Sequence, residues 1–514
     1  MPPYQSNNKR IAKNTIYLYV RMFFVLIVNL YISRVLLRAL GVSDYGTYII
    51  MAGLVTLFGF FNVTLSATMQ RYYNYTGSRE NEKGLQRVFS TGCVIHLIIA
   101  AATFMFLESF GLWYIDHYLV IPPERFNVAL TVFHASAISL VLLILQSPCS
   151  GLMLSQERMG FYSFVSIADI MLKLAATLSL EHLPFDRLST YALLLLCISA
   201  TDLLLYAAYT KYNWKFLHLS RKIDRSLMRS LLSFTGWNLV GTFAFMLKGQ
   251  GVNLLLNNFF GTMVNAARGI AAQVSSAIQN FSTSITVAFA PQIVNSVATD
   301  DRQRVEGLMF TESKICYALV LIIATPLCLE MDYVLNLWLG VNMPYQANIF
   351  SVLMIIDTLV CTLNTPCTQV TLATGKVKKY EIASSIVNLC LIPMCYVFLH
   401  LGFTAVSSFV ITILFSILLQ IVCLVFTHRV FKFNGKRYVA EVLLPCLCIT
   451  IFLPIIPLLV KVSYTPTFLR LAAVCLVDLC IALPLTYLIL LNKQEKKRSL
   501  SIIRYYKNRL RNDK

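Results

Sequence analysis

The sequence predicts an all-α polytopic membrane protein with about 14 transmembrane helices. Three observations carry that expectation. The chain is 57% hydrophobic and 13% charged, with a mean hydropathy of +0.68, whereas a soluble domain runs at about 45–50% apolar and 25% charged. Windows of roughly 20 apolar residues recur along it, each long enough to cross about 30 Å of hydrocarbon. Basic residues gather in alternate connections instead of spreading evenly. Lipid offers the backbone no hydrogen-bond partners, so the spans must be helices.

Taken in order, the apolar runs place helices at 14–37, 47–70, 88–108, 127–149, 161–181 and 189–210. A second group falls at 233–257, 263–291, 313–337, 347–372, 379–400 and 404–428, with two more at 440–460 and 467–491. The N-tail, the even-numbered loops and the C-tail hold most of the Lys and Arg, against about four in the odd loops. That alternation survives to the end of the chain, so both termini are expected in the cytoplasm. The division that follows is a six-helix lobe over 1–210, a basic linker over 211–232, a second lobe over 233–432, two further helices over 433–491 and a basic tail over 492–514. The tail either touches anionic lipid or serves as a solvated topology signal.

The formal net charge of +19 belongs to that topology signal. No basic folded surface remains for nucleic acid. The 14 cysteines lie almost all in apolar runs and lack zinc-ligand spacing, so they read as small packing hydrophobes. The first apolar run is too long for a signal-peptide core. No catalytic motif such as GxSxG, HExxH or a phosphate loop occurs, and the expectation is a chain that is no enzyme and holds no metal.

An internal repeat supports the two lobes. LGVSDYGTYIIMAGLV from Leu40 and FGTMVNAARGIAAQVS from Phe260 each set a hydrophobe–Gly pair at the outer end of a helix. Each is followed by a long span and a charged cytoplasmic loop. Both copies run in the same direction, as parallel repeats about the membrane normal do.

Ionisable residues inside spans are the functional candidates. In MVNAARGIAAQVSSAIQNFSTSITVAFAP, Arg268 is followed by Ser275, Gln279, Ser282 and Thr286, all within about 40° of one helix face, and Asn265 adds to that side. Small polar residues alone would suit helix packing; Arg268 and Gln279 favour a wet cavity. Arg21 lies in the first helix, and Lys248 lies mid-helix between glycines that invite a break. Three such cations favour an anionic group, phosphate above all. Asp169 and Lys173 stand as an i,i+4 pair. Asp202, Asp357 and Asp478 have no partner in sequence. An Asp of this set can carry a coupling proton, bind Na⁺ or form an interhelical salt bridge, and the sequence leaves those readings open.

The stretches ISRVLLRALGVSDYGTYIIMAGLVTLFGFF, RYYNYTG and VNAARGIAAQVSSAIQNFSTSITVAFAPQIVNS resemble the polysaccharide-transport (Wzx-like, O-antigen or capsule repeat-unit flippase) branch of the multidrug/oligosaccharidyl-lipid/polysaccharide exporter superfamily. The resemblance extends over the 14-span plan. It implies two six-helix bundles in a V with two appended helices, in a bacterial inner membrane. It implies transport of undecaprenyl-diphosphate-linked oligosaccharide from the inner to the outer leaflet, for lipopolysaccharide or capsule synthesis. Family members have a cationic central cavity, a role that Arg21, Lys248 and Arg268 match by helix position, with Asn265, Ser275 and Gln279 toward the glycan. Coupling would be to H⁺ or Na⁺, or to membrane potential, with no other cofactor. The chain would act as a monomer, beside a polysaccharide polymerase and chain-length machinery. The rivals are a cation-coupled drug or metabolite exporter of the same superfamily, a polysaccharide polymerase or ligase, and a non-transporting scaffold of a glycan assembly complex.

Overall fold

The computed structural model describes residues 3–218, 224–340, 343–375, 378–492 and 495–496. Part of the expected linker (219–223) and nearly all of the basic tail lie outside the described residues. The chain opens with α1 (Pro3–Thr56). Its 54 residues would make a rod of roughly 80 Å at 1.5 Å per residue, more than twice a hydrocarbon core. The helix bends at Gly41, with φ 75° and ψ 172°, and the two halves become the first crossing and the start of the second. A short turn over Leu57–Gly59 leads into α2 (Phe60–Phe106). That helix finishes the second span and holds the third, because the charged segment expected as a loop is helical too. A wide turn over Leu107–Gly111 continues into α3 (Leu112–Tyr118).

Single crossings then follow: α4 (Phe126–Ser155), α5 (Met159–Ser179), α6 (Arg187–Asn213), α7 (Arg225–Phe260) and α8 (Thr262–Ala298). After them come α9 (Arg302–Leu329), the short α10 (Met331–Leu339), α11 (Ala347–Ala373), α12 (Lys378–His400) and α13 (Val406–Phe431). The thirteenth crossing is built in pieces: α14 (Gly435–Tyr438), a wide turn over Val439–Leu443, α15 (Leu444–Phe452) and α16 (Ile455–Ser463). The last is α17 (Phe468–Leu485). Among the described residues 11 segments are long and apolar enough to cross a membrane, one of them, Arg21–Tyr75, holding two crossings. α7 and α8 also have the length of a crossing, and with them the expected fourteen are all present.

The chain forms two compact units. Unit 1 is Met1–Ile270, Val341–Gln346 and Asn388–Ala405; unit 2 is Ala271–Gly340, Ala347–Val387 and Val406–Lys514. These limits differ from the lobe edges expected at 210 and 233: α7 and the first turns of α8 pack with α1. The close approach needs glycine. A Cβ on Gly46 would stand 2.0 Å from the Thr262 carbonyl oxygen.

Unit 1 has an apolar core around Ile50, Met51, Leu107, Ile115, Val132 and Phe133, drawn from α1, α2, α3 and α4. One end is tied by Arg125, which donates to Asp44 at 2.9 Å and to Asp186 at 2.7 Å. Asp186 also caps α6 through the Ser189 N–H. Partial burial works against its charge, but that N–H and the Arg125 guanidinium win and hold the carboxyl below the usual carboxylate range. In unit 2, Phe350 stacks on Phe409, and hydroxyls glue helices together, as where Thr371 meets Thr427 at 2.8 Å. Two buried cations bind distant carboxylates there. Lys314, 2% exposed, donates to Glu495 at 2.6 Å, and Arg470 pairs with Glu330. Outward faces carry exposed Leu204, Val462 and Leu469, as lipid-facing surfaces do.

Candidate functional site

In unit 1 the α7–α8 hairpin carries two of the expected cations. Arg268 Nη2 donates to the Gly249 carbonyl at 2.7 Å, which brings its guanidinium to α7 beside Lys248. The glycines flanking Lys248 do not break the helix, contrary to expectation: α7 is continuous through them. Gly251 serves packing instead, since a Cβ there would meet Ile392 at 2.6 Å. Both cations are half-buried.

Asn265 has a different place. It is fully buried. Its Nδ2 donates to the Asn253 carbonyl at 2.8 Å and to Asn253 Oδ1 at 2.9 Å. Its Oδ1 accepts from Asn257, which also accepts from the Val120 N–H at 2.8 Å. This lattice spends both side-chain polar atoms of Asn265 on joining α7 to α8, which suits a structural role better than the expected contact with substrate. Helical spacing put it near Arg268 but gave no sign of the asparagines opposite.

A second polar cluster in unit 1 joins α1, α5 and α6. The Arg21 guanidinium lies 5.0 Å from the centre of the Tyr162 ring, a cation–π contact. Lys173 donates to Asp169 at 2.8 Å, as the i,i+4 spacing predicts. Asp202, from α6, comes within hydrogen-bonding reach of the Asp169 carboxyl, and buried Tyr206 sits among Asp202, Asp169 and Arg21. Sequence spacing found the Asp169–Lys173 pair but not the third member, 33 residues on and one helix away.

In unit 2 the rest of the α8 stripe divides. Ser275 bonds Thr358 at 2.7 Å, and Ser282 is buried, so these two do the packing work of small polar residues. Gln279 is exposed. Asp357 accepts a hydrogen bond from Ser416. Asp478 is buried with no hydrogen-bond partner on either oxygen. The described residues hold no group of three or more His, Cys, Asp or Glu able to bind a metal ion.

These helices, with cations on one hairpin and clustered carboxyls on another bundle, define an all-α polytopic membrane fold. The chain is similar to the lipid II flippase MurJ in an inward closed conformation, with a TM-score of 0.67 and 14% identity over 92% of this chain and 98% of that one. It is also similar to an inward-facing multidrug resistance MATE family transporter of the MOP superfamily, with a TM-score of 0.65 and 12% identity over 82% and 98%. A MOP superfamily transporter from Pyrococcus furiosus follows, with a TM-score of 0.61 and 12% identity over 82% and 96%. At these identities the likeness is one of fold. No protein-family model and no curated protein matches the chain.

Proposed function

We propose that the chain is a flippase that moves undecaprenyl-diphosphate-linked oligosaccharide repeat units across the bacterial inner membrane by alternating access, for lipopolysaccharide or capsule synthesis. The observation that supports it most is the placement of Arg268 against α7 beside Lys248. Two half-buried cations on one hairpin suit a diphosphate, whose charge would offset the cost of holding them away from water. Arg21 completes the cationic set, Gln279 faces the glycan, and the prenyl tail stays in lipid. The termini are cytoplasmic, the working unit is a monomer, and polymerase and chain-length machinery act on the product. The Asp169–Asp202 pair is the place for a coupling proton, since two carboxyls within hydrogen-bonding reach repel unless a proton lies between them. Asp357 and Asp478 are the other coupling candidates.

The test is a deletion strain. A membrane-impermeant glycan probe on spheroplasts would find the lipid-linked oligosaccharide trapped inside. Wild-type protein would release it outward. Arg268→Ala would lower the rate about tenfold or more, the worth of a charge-assisted contact, with Arg268→Lys only partly restoring it. Outward-facing units that stay short would move the function to polymerisation or ligation.

The acidic cluster of Asp169 and Asp202 favours one second reading, a cation-coupled drug or metabolite exporter. A shift in drug susceptibility on deletion, with the glycolipid correctly placed, would support it.

A further inference from the structure

The run QRV occurs once in each copy of the repeat, as Gln86-Arg87-Val88 and as Gln303-Arg304-Val305. Each run closes the charged segment that leads into a crossing, the third and the ninth. Both valines are fully buried, which sets the glutamine and arginine before them at matching places on their helices.

In unit 1 these two side chains hold the connection between α6 and α7, residues 214–224. The Gln86 amide donates to the His218 carbonyl, and Gln86 Oε1 accepts the His218 N–H at 2.9 Å. One glutamine thus satisfies both backbone groups of a non-helical residue. Arg87 pairs at 3.6 Å with Asp224, the N-cap of α7.

Unit 2 has the same glutamine and arginine but no such connection. α13 and α14 are joined by residues 432–434 alone. The N-cap of α14 is Asn434, which has no charge to offer Arg304. Gln303 and Arg304 instead line an open cavity of about 710 Å³, with walls from α8, α9, α14 and the stretch after α17. Asp301, Glu441 and Glu495 stand there against Arg304 and Arg437. The smaller notch of unit 1, about 440 Å³, has Arg71 and Arg87 against Asp224. The balance of charge is reversed in unit 2, so its cavity disfavours an acidic headgroup and favours a basic segment.

We propose that this cavity docks a basic peptide, and that its occupant is the rest of the chain's own tail, residues 497–514. Asn492 and Glu495, at the root of that tail, are already part of the wall, so a short loop brings the tail in. The segment could extend over roughly 60 Å, more than the cavity needs. It carries seven Lys and Arg and one acid, Asp513. Gln303 takes a backbone unit of the tail as Gln86 takes His218. The carboxylates meet its Lys and Arg, and Asp513 answers Arg304 as Asp224 answers Arg87. The docking does not depend on what the chain transports.

The experiment uses the full chain in nanodiscs containing anionic phosphatidylglycerol, so that lipid competes for the tail. Photoreactive benzoylphenylalanine replaces Gln292, an exposed residue of the cavity wall, and the products are mapped by mass spectrometry. The expected crosslink joins position 292 to a peptide within 497–514 of the same molecule. Gln303→Ala combined with Arg304→Ala lowers its yield about tenfold, and Asp513→Asn lowers it severalfold. Should replacement of Gln292 prevent folding, the same probe at Leu308 carries the test. Crosslinks to lipid alone, or to the tail of a second copy, overturn the proposal. So does a tail crosslink whose yield is indifferent to these substitutions.

Discussion

Gly41 and Gly261 adopt the same backbone, with φ 75° and ψ 172° at the first and φ 72° and ψ −170° at the second. That region is essentially closed to residues with a Cβ. Each lies at the hydrophobe–Gly pair of its copy of the repeat, so a weak sequence likeness marks a shared device: a helix ends, the chain turns on glycine, and the next helix starts at once. Gly41→Ala and Gly261→Ala should each lower stability by about 1–3 kcal/mol. Gly307, in regular helix with open space where a Cβ would go, should instead gain about 0.5–1 kcal/mol as alanine. Thermal unfolding of the purified variants checks both signs, and equal effects at all three glycines would refute the argument.

The α7–α8 hairpin is held by polar atoms where most of the fold relies on apolar packing. Asn257→Ala would strip partners from Asn265 Oδ1 and the Val120 N–H, a loss of about 1–3 kcal/mol for buried groups left unpaired. Asn265→Ala should behave likewise, lowering the unfolding temperature while substrate affinity holds; lost affinity at normal stability would return Asn265 to the binding set. This hairpin also shows what a sequence can tell. Helix positions were legible because the lipid imposes a length and an apolar composition on every span. The cationic character of α7 and α8 was legible because charge is costly there. Partnership across helices was not. Nothing near Asn257 announces Val120, and nothing near Asp169 announces Asp202. Lys248 misled in another way: its glycines suggest a break, but Gly251 makes room for Ile392.

For the whole molecule, hydropathy and charge give a consistent orientation. A green fluorescent protein fused after Trp214 should fluoresce, and alkaline phosphatase fused after Phe185 should be active, because the first position is expected inside and the second outside. The reverse pattern would invert the topology. The two units, in contrast, are cut along lines that no charge or hydropathy pattern marks, since they follow the close approach of α1 to α8 at Gly46. The tie between Lys314 and Glu495 bears on how such a chain is made. The ammonium of α9 finds its carboxylate 181 residues later in the sequence. During synthesis that lysine therefore waits, unanswered, while every helix from α11 to α17 is threaded into the bilayer. A ribosome that stops just short of residue 495 releases a protein with all its crossings in place and one charge stranded, the kind of flaw that membrane proteases find.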